Sequence, residues 1–167
     1  MIRSVVKKGD QKLGRECRAV TDIESVQEIL RDLHDTLNEM KNIYSFTRGS
    51  GIAAPQIGEN VRICVVEYDS KRHTLINPTI TSHSDEKLEI RREGCLSFFS
   101  YRGYPRRFTD VTVTYLDEEG KKQTLEACGD FASLLQHEID HLDGILYTQR
   151  MNQDQVLEFH PEMPDIP

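Results

Sequence analysis

The sequence has 167 residues, a mass of 19.3 kDa and a formal net charge of −7, with 37% hydrophobic and 29% charged residues. This composition is typical of a globular protein of one ordinary domain and excludes a long disordered chain. The longest apolar runs, such as Ile63 to Val66, are far shorter than the ~20 residues of a membrane span, and the N-terminus shows no apolar signal segment. We therefore expect a cytoplasmic protein that binds no membrane. The acidic charge also disfavours nucleic-acid binding, and four irregularly spaced cysteines favour free thiols.

The first half of the chain predicts one helix followed by two strands. Thr21 to Glu24 has the form of a capping box, which predicts a helix from Asp22 to about Asn42. The apolar residues of that segment recur at helical spacing: Val26, Ile29, Leu30, Leu33, Leu37 and Met40. Strands are predicted at Val61 to Tyr68 and at His73 to Ile76, with a turn between them.

The second half predicts further strands and a second helix. Another strand is predicted at Lys87 to Arg92, and a hairpin joins Val111 to Tyr115 with Gln123 to Ala127. A helix follows from about Asp130 to Leu142, closed by Gly144. This order predicts an α+β fold with antiparallel sheets around a central helix. No repeat or linker divides the chain, so we expect one domain over residues 1–167.

The second predicted helix carries the segment His137-Glu138-Ile139-Asp140-His141. Residues four apart lie on one helix face, so His137 and His141 can bind one divalent metal, with Glu138 beside them to move protons. The alternative is an ordinary buried helix that happens to carry two histidines.

The class of site depends on the third metal ligand. Glu158 or Glu162 in that role would indicate a metallopeptidase. Cys95, within Glu93-Gly94-Cys95-Leu96-Ser97, would instead give a thiolate and two imidazoles, with one position left for water. Taken alone, Cys95 is better explained as a small buried apolar residue.

A third segment, Gly49 to Gln56, is rich in small residues. Glycine and alanine allow another backbone or a substrate to approach closely, and Gln56 offers an amide donor. Taken alone, the segment is also explained as a turn before a strand.

Together the three segments resemble the peptide deformylase family, enzymes that remove the N-formyl group from newly made bacterial and organellar proteins. Gly49 to Gln56 matches the family's G-x-G-x-A-A-x-Q, Glu93 to Ser97 its E-G-C-L-S, and Gln136 to Gly144 its Q-H-E-x-D-H-L-x-G. The resemblance implies a deformylase-like fold and one divalent metal ion. That ion would be Fe(II), often replaced by Zn, Ni or Co in purified protein, bound by Cys95, His137 and His141.

The resemblance also implies roles for other residues. Glu138 would act as general base and then general acid, while Gln56 and the backbone N–H of Leu96 would donate to the oxyanion. The backbone of Gly51 would hold the peptide as an added strand. Glu93 would support the metal ligands together with Arg102 or Arg107.

The implied partner is an N-formylated peptide or the N-terminus of a nascent chain. We expect a monomer, with ribosome association left open. A non-catalytic module that only binds such peptides is a further alternative, which the intact Gln56 and Glu138 disfavour.

The expected substrate pocket departs from the family pattern. Four positions that should be bulky and aliphatic in the family are polar or charged here: Ser50, Arg91, Asp130 and Ser133. We therefore expect a preferred first residue other than simply methionine. Either Arg91 and Asp130 pair across the pocket and narrow it, or these groups turn to solvent and Ile52, Phe131 and Leu134 form the pocket.

Overall fold

The computed structural model describes residues 1–160. Within them lie two α-helices, α1 (Gln27–Ile43) and α2 (Gly129–Leu142), ten strands and four short 3₁₀ helices. The strands are β1 (Ser50–Ala53), β2 (Ile63–Tyr68), β3 (Lys71–His83), β4 (Lys87–Leu88), β5 (Glu93–Cys95), β6 (Phe98–Gly103), β7 (Arg107–Phe108), β8 (Asp110–Leu116), β9 (Lys122–Cys128) and β10 (Glu158–Phe159). The 3₁₀ helices are Gln11–Gly14, Glu24–Val26, Ala54–Ile57 and Tyr147–Arg150.

All the sheets are antiparallel. Five strands pair in the order β1-β2-β3-β8-β9, three in the order β10-β6-β5, and β4 pairs with β7. The predicted α+β fold with antiparallel sheets is therefore confirmed. Among residues 1–160, no helix has both the length and the apolar character needed to span a membrane.

Strand β2 lies between the two helices. Successive side chains of a strand point to opposite faces. Ile63 and Val65 accordingly join the apolar cluster that contains the buried face of α1, while Cys64 and Val66 join the cluster that contains the apolar face of α2. Burial on both faces explains why this strand reads as a continuous apolar run.

Helix α2 is deeply buried. Every residue from Ala132 to Leu142 is buried, although this stretch includes His137, Glu138, Asp140 and His141. Because buried polar groups are costly without partners, this helix needs a set of compensating side chains around it.

The two largest differences from the predicted boundaries are at the start of α1 and at the end of β3, while β2 begins at Ile63 and β3 at Lys71. The first helix begins at Gln27 because Glu24–Val26 form a 3₁₀ turn, in which the Glu24 N–H donates to the Asp22 carboxylate at 3.1 Å. Strand β3 continues past Ile76 to His83, with a register shift against β8 between Ile76 and Thr79.

Other strands were mispredicted. The strand expected at Lys87 to Arg92 ends at Leu88, and β5 and β6 follow it without having been predicted. Segment Ser50–Ala53 is strand β1 rather than a turn, since it pairs along its whole length with β2.

The end of α2 depends on Gly144, as predicted. Gly144 has φ +72°, and a Cβ built on it would lie 2.8 Å from the Gly14 carbonyl carbon and 2.9 Å from backbone atoms of Arg15. The chain after α2 therefore passes directly against the N-terminal segment.

We expect Gly144→Ala to destabilise the fold more than Gly129→Ala. Both glycines have positive φ, but a Cβ at Gly129 (φ +55°) meets nothing within 4 Å. Gly129→Ala should cost about 1–2 kcal/mol from the left-handed conformation alone, whereas Gly144→Ala adds a clash with backbone. Denaturant unfolding of the two variants measures the difference, and equal losses would contradict the close approach.

Candidate active site

The three residues predicted as metal ligands lie together in the interior. Cys95 ends strand β5, and His137 and His141 lie one turn apart on α2. All three are buried, and one ligand atom from each lies within 4.8 Å of the others. The Cys95 Sγ and the His141 Nε2 are 3.2 Å apart.

The chemistry of this donor set fits a divalent metal ion. Burial alone would raise the pKa of the Cys95 thiol, but the imidazoles of His141 and His137 outweigh it and hold that pKa well below its usual range. A thiolate and two imidazoles are ligands that iron, zinc, nickel and cobalt all accept.

His137 is oriented by the buried carboxylate of Glu93. The His137 Nδ1 lies 2.8 Å from the Glu93 Oε2, which leaves Nε2 for a metal. The Ser133 hydroxyl donates to the other carboxylate oxygen at 2.6 Å. Ser133 is fully buried, and its hydrogen bond helps to hold the carboxylate that orients His137.

Arg107, rather than Arg102, is the arginine paired with Glu93. Its Nε and Nη2 each lie 2.9 Å from a Glu93 oxygen, and its Nη1 donates to Asp140 at 2.5 Å. Burial alone would raise the pKa of Glu93, but Arg107 and His137 hold it well below its usual value. Arg102 donates instead to the backbone carbonyl of Tyr101 at 2.8 Å.

The network extends to Arg150, which sequence reasoning missed. Arg150 Nη2 donates to the second Asp140 oxygen at 2.7 Å. Asp140 lies inside the matched motif and could have been noticed as a buried carboxylate. Arg150 gives no such signal, because its partner becomes clear only from the fold.

Glu138 packs against the backbone of β1. A Cβ on Gly51 would lie 2.5 Å from the Glu138 Oε1, so a larger residue at that position would displace the Glu138 side chain. The Oε2 of Glu138 is buried and has no hydrogen-bond partner among the described residues. Burial raises the pKa of this carboxyl above its usual value, which the two imidazoles oppose.

Gln56 is buried beside the metal ligands. Its Oε1 accepts from the Ala53 N–H at 2.9 Å, which fixes the side chain. Its Nε2 lies 3.5 Å from the Cys95 Sγ and 3.3 Å from the Ser97 Oγ. Its amide donor therefore faces the site.

A cavity of ≈ 290 Å³ opens onto this cluster. Of the residues predicted to bind substrate or to act in the reaction, eight line it: Ser50, Gly51, Gln56, Arg91, Cys95, Leu96, His137 and Glu138. Leu134, one of the alternative pocket residues, also lines it, whereas Ile52 and Phe131 do not.

Two expected pocket residues have other partners. Ser133 bonds Glu93, and the Asp130 carboxylate pairs with Arg48 through contacts of 2.8 and 3.2 Å. Arg91 therefore does not pair with the Asp130 side chain, contrary to the expected bridge across the pocket. It donates to the backbone carbonyl of Arg48 at 2.7 Å and reaches the Asp130 carbonyl at 3.4 Å. Sequence reasoning missed Arg48 because it lies 82 residues from Asp130.

The alternative third ligand does not join the cluster. Glu158 is exposed in β10 and pairs with Arg92 at 3.0 Å. Among residues 1–160, the only group able to hold a metal contains Cys95, His137 and His141. Glu162 lies outside the described residues.

Comparisons with known proteins agree on one family. The model of the polypeptide deformylase family matches residues 2–156. The chain is 38% identical over 154 residues to a peptide deformylase of Heliobacterium modesticaldum, covering 92% of this chain and 96% of that protein. It is 40% identical over 141 residues to peptide deformylase 2 of Vibrio cholerae, covering 83% and 79%.

Solved structures give the same result. The peptide deformylase of Thermus thermophilus superposes with a TM-score of 0.81 and 36% identity, covering 91% of this chain and 87% of that one. The enzyme of Ehrlichia chaffeensis in complex with actinonin superposes with a TM-score of 0.81 and 31% identity, covering 91% and 90%. With its buried Cys-His-His cluster and these matches over nine-tenths of its length, the chain belongs to the polypeptide deformylase family.

Proposed function

We propose that this chain, a deformylase that removes the N-formyl group from nascent polypeptides, does so with Cys95, His137 and His141 as ligands of one divalent metal and with Glu138 as the proton carrier. The observation that carries the proposal is the unpartnered Glu138 Oε2, buried beside the three ligands. A divalent ion at this site, when bound, acidifies water and polarises a carbonyl group.

Glu138 moves the proton between water and the leaving amine. Its carboxylate takes a proton as the water oxygen bonds to the formyl carbon, and returns it to the amine nitrogen as the C–N bond breaks. The products are formate and a free N-terminal amine. Burial of the Glu138 carboxyl favours its protonated form midway through this cycle.

Gln56 and the backbone N–H of Leu96 stabilise the charge that develops on the formyl oxygen. Both residues line the cavity, and the bond from Ala53 holds the Gln56 amide in place before substrate arrives. A fixed donor of this kind has no reorganisation cost during the reaction.

The substrate backbone pairs with the free edge of β1. This strand ends the five-stranded sheet, and its Ser50 and Gly51 line the cavity. An extended peptide can add to such an edge by main-chain hydrogen bonds.

We also propose Fe(II) as the native metal, a monomeric enzyme in the cytoplasm, and one catalytic domain over residues 1–167. Free thiols at Cys17, Cys64, Cys95 and Cys128 support a reducing compartment. Ribosome association remains a hypothesis that follows from action on nascent chains.

The metal assignment predicts one divalent ion per chain, lost in Cys95→Ala. Cys128→Ala is the matched control, because Cys128 is an exposed free cysteine outside the cluster, and it should retain the ion. Elemental analysis measures both variants. An anomalous-scattering peak more than about 3 Å from the Cys95 sulfur would exclude the assignment, since metal–thiolate bonds are about 2.3 Å.

The proton-transfer role predicts that Glu138→Gln keeps the metal and loses about 10²–10⁴-fold in kcat, because the amide occupies the same space but cannot accept the proton. Formate release and metal content are measured on the same preparation. Turnover near that of the wild type would show that another group moves the proton.

The packing of Glu138 on β1 predicts that Gly51→Ala also loses activity. The added Cβ would displace the carboxylate, and a displacement of about 1 Å can cost about 10²-fold in rate. Gly14→Ala is the control, because a Cβ there meets nothing within 4 Å. A fully active Gly51→Ala enzyme would show that the carboxylate position is not critical.

A further inference from the structure

The cavity over the metal ligands has a cationic wall. Its lining includes Arg48, Arg91, Arg92 and Arg102, whereas Glu138 is the only acidic residue among residues 1–160 that lines it. The whole chain carries a net charge of −7, so these four arginines form a locally basic surface on an acidic protein.

Three of these arginines have partners within the protein. Arg48 pairs with the Asp130 carboxylate, and Arg92 pairs with Glu158 at 3.0 Å. Arg102 donates to the Tyr101 carbonyl and lies over the Phe99 ring.

Unlike Arg48 and Arg92, Arg91 has no carboxylate within ion-pair distance in the described part of the chain. Its Nη1 reaches two backbone carbonyls, and its Nε is buried with no hydrogen-bond partner among residues 1–160. Burial lowers the pKa of Arg91 below its usual value, which reflects the desolvation of its charge.

The two acidic groups near Arg91 are already engaged. Glu93 accepts hydrogen bonds from Arg107 and Ser133 and contacts His137, while Asp130 is held by Arg48. A guanidinium that is partly removed from water and meets no carboxylate keeps an uncompensated charge, and its planar N–H groups match a carboxylate. The missing anion can therefore come from a ligand in the cavity.

We propose that Arg91 binds a carboxylate of the substrate, so that the enzyme favours N-formyl peptides with an acidic side chain in their first two residues. This inference rests on the proposed function, because it assumes that the formyl group lies at Glu138. The carboxylate belongs to the first two residues because Arg91 and Glu138 line the same ≈ 290 Å³ cavity. An extended chain advances only about 3.3–3.6 Å per residue, so later residues lie farther from Glu138. Phe46 and Leu134, which also line it, give apolar contact for the methylene groups of such a side chain.

The test compares pairs of C-terminally amidated tripeptides on the metal-loaded enzyme. One pair is formyl-Glu-Ala-Ser and formyl-Gln-Ala-Ser, the other is formyl-Met-Glu-Ser and formyl-Met-Gln-Ser, and formyl-Met-Ala-Ser is the reference. We expect kcat/KM to favour glutamate over glutamine by about 10–100-fold in one pair, as is usual for hydrogen bonds to charged groups. The pair that shows the preference identifies which residue supplies the carboxylate.

Arg91→Gln should remove this preference, so that the glutamate and glutamine peptides of each pair are turned over with equal kcat/KM. Arg92→Gln is the matched control, because Arg92 lines the same cavity but already has Glu158 as its partner, and it should retain the preference. Arg91→Lys, which keeps the charge without the planar fork, should show a reduced preference and serves if the glutamine variant does not fold.

Binding of the same peptides to the metal-loaded Glu138→Gln variant, with and without Arg91→Gln, separates recognition from chemistry. Tighter binding of the glutamate peptides that depends on Arg91 supports the inference even if turnover fails. Absence of formate release from every peptide would reject the proposed function instead. Equal binding and turnover of the glutamate and glutamine peptides, or a preference that survives Arg91→Gln, would overturn the inference.

Discussion

The site depends on the buried Glu93 carboxylate. In β5, Glu93 and Cys95 lie two residues apart and therefore share a face, so the strand that brings the thiol to α2 also brings the carboxylate that orients His137. Arg107 bonds Glu93 with one edge and Asp140 of the same helix with another. Because removing one partner of a buried ion pair typically costs about 3–5 kcal/mol, strand and helix are held in one arrangement. The geometry of the metal ligands is thus fixed by charge pairing behind them.

Two glycines allow the close contacts by which the polar helix α2 packs in the core. Gly51 allows β1 to contact the Glu138 side chain, and Gly144 allows the chain after α2 to pass against residues 14 and 15. Without Gly51 the Glu138 side chain would need another position, since a Cβ would lie within 2.8 Å of its Oε1, Cδ and Cγ atoms. Gly51 therefore has a steric role beside the Glu138 carboxylate that the sequence alone does not reveal.

The grouping of Cys95, His137 and His141 was easier to predict from the sequence than the strands around it. His137 and His141 share a helix face by spacing alone, whereas Cys95 was supported by the motif around it. Strand β1 was not predicted as a strand, because its small residues have weak strand propensity and its pairing with β2 is a tertiary effect. The ion pairs were harder still to predict. The partner of Asp130 is 82 residues away, and no local pattern distinguishes Arg107 from Arg102 as the partner of Glu93.

The polar residues at the expected pocket positions do not form one group. Ser133 bonds Glu93 and so belongs to the support of His137. Asp130 neutralises Arg48, whose backbone carbonyl is in turn held by Arg91. Because the Asp130 carboxylate pairs with Arg48, it does not neutralise Arg91. The positive charge of Arg91 therefore has no carboxylate partner among the described pocket residues. The polar residues that make the pocket less apolar therefore leave Arg91 able to bind an anion. These departures from the family pattern then affect which substrate is preferred, and they leave the reaction itself intact.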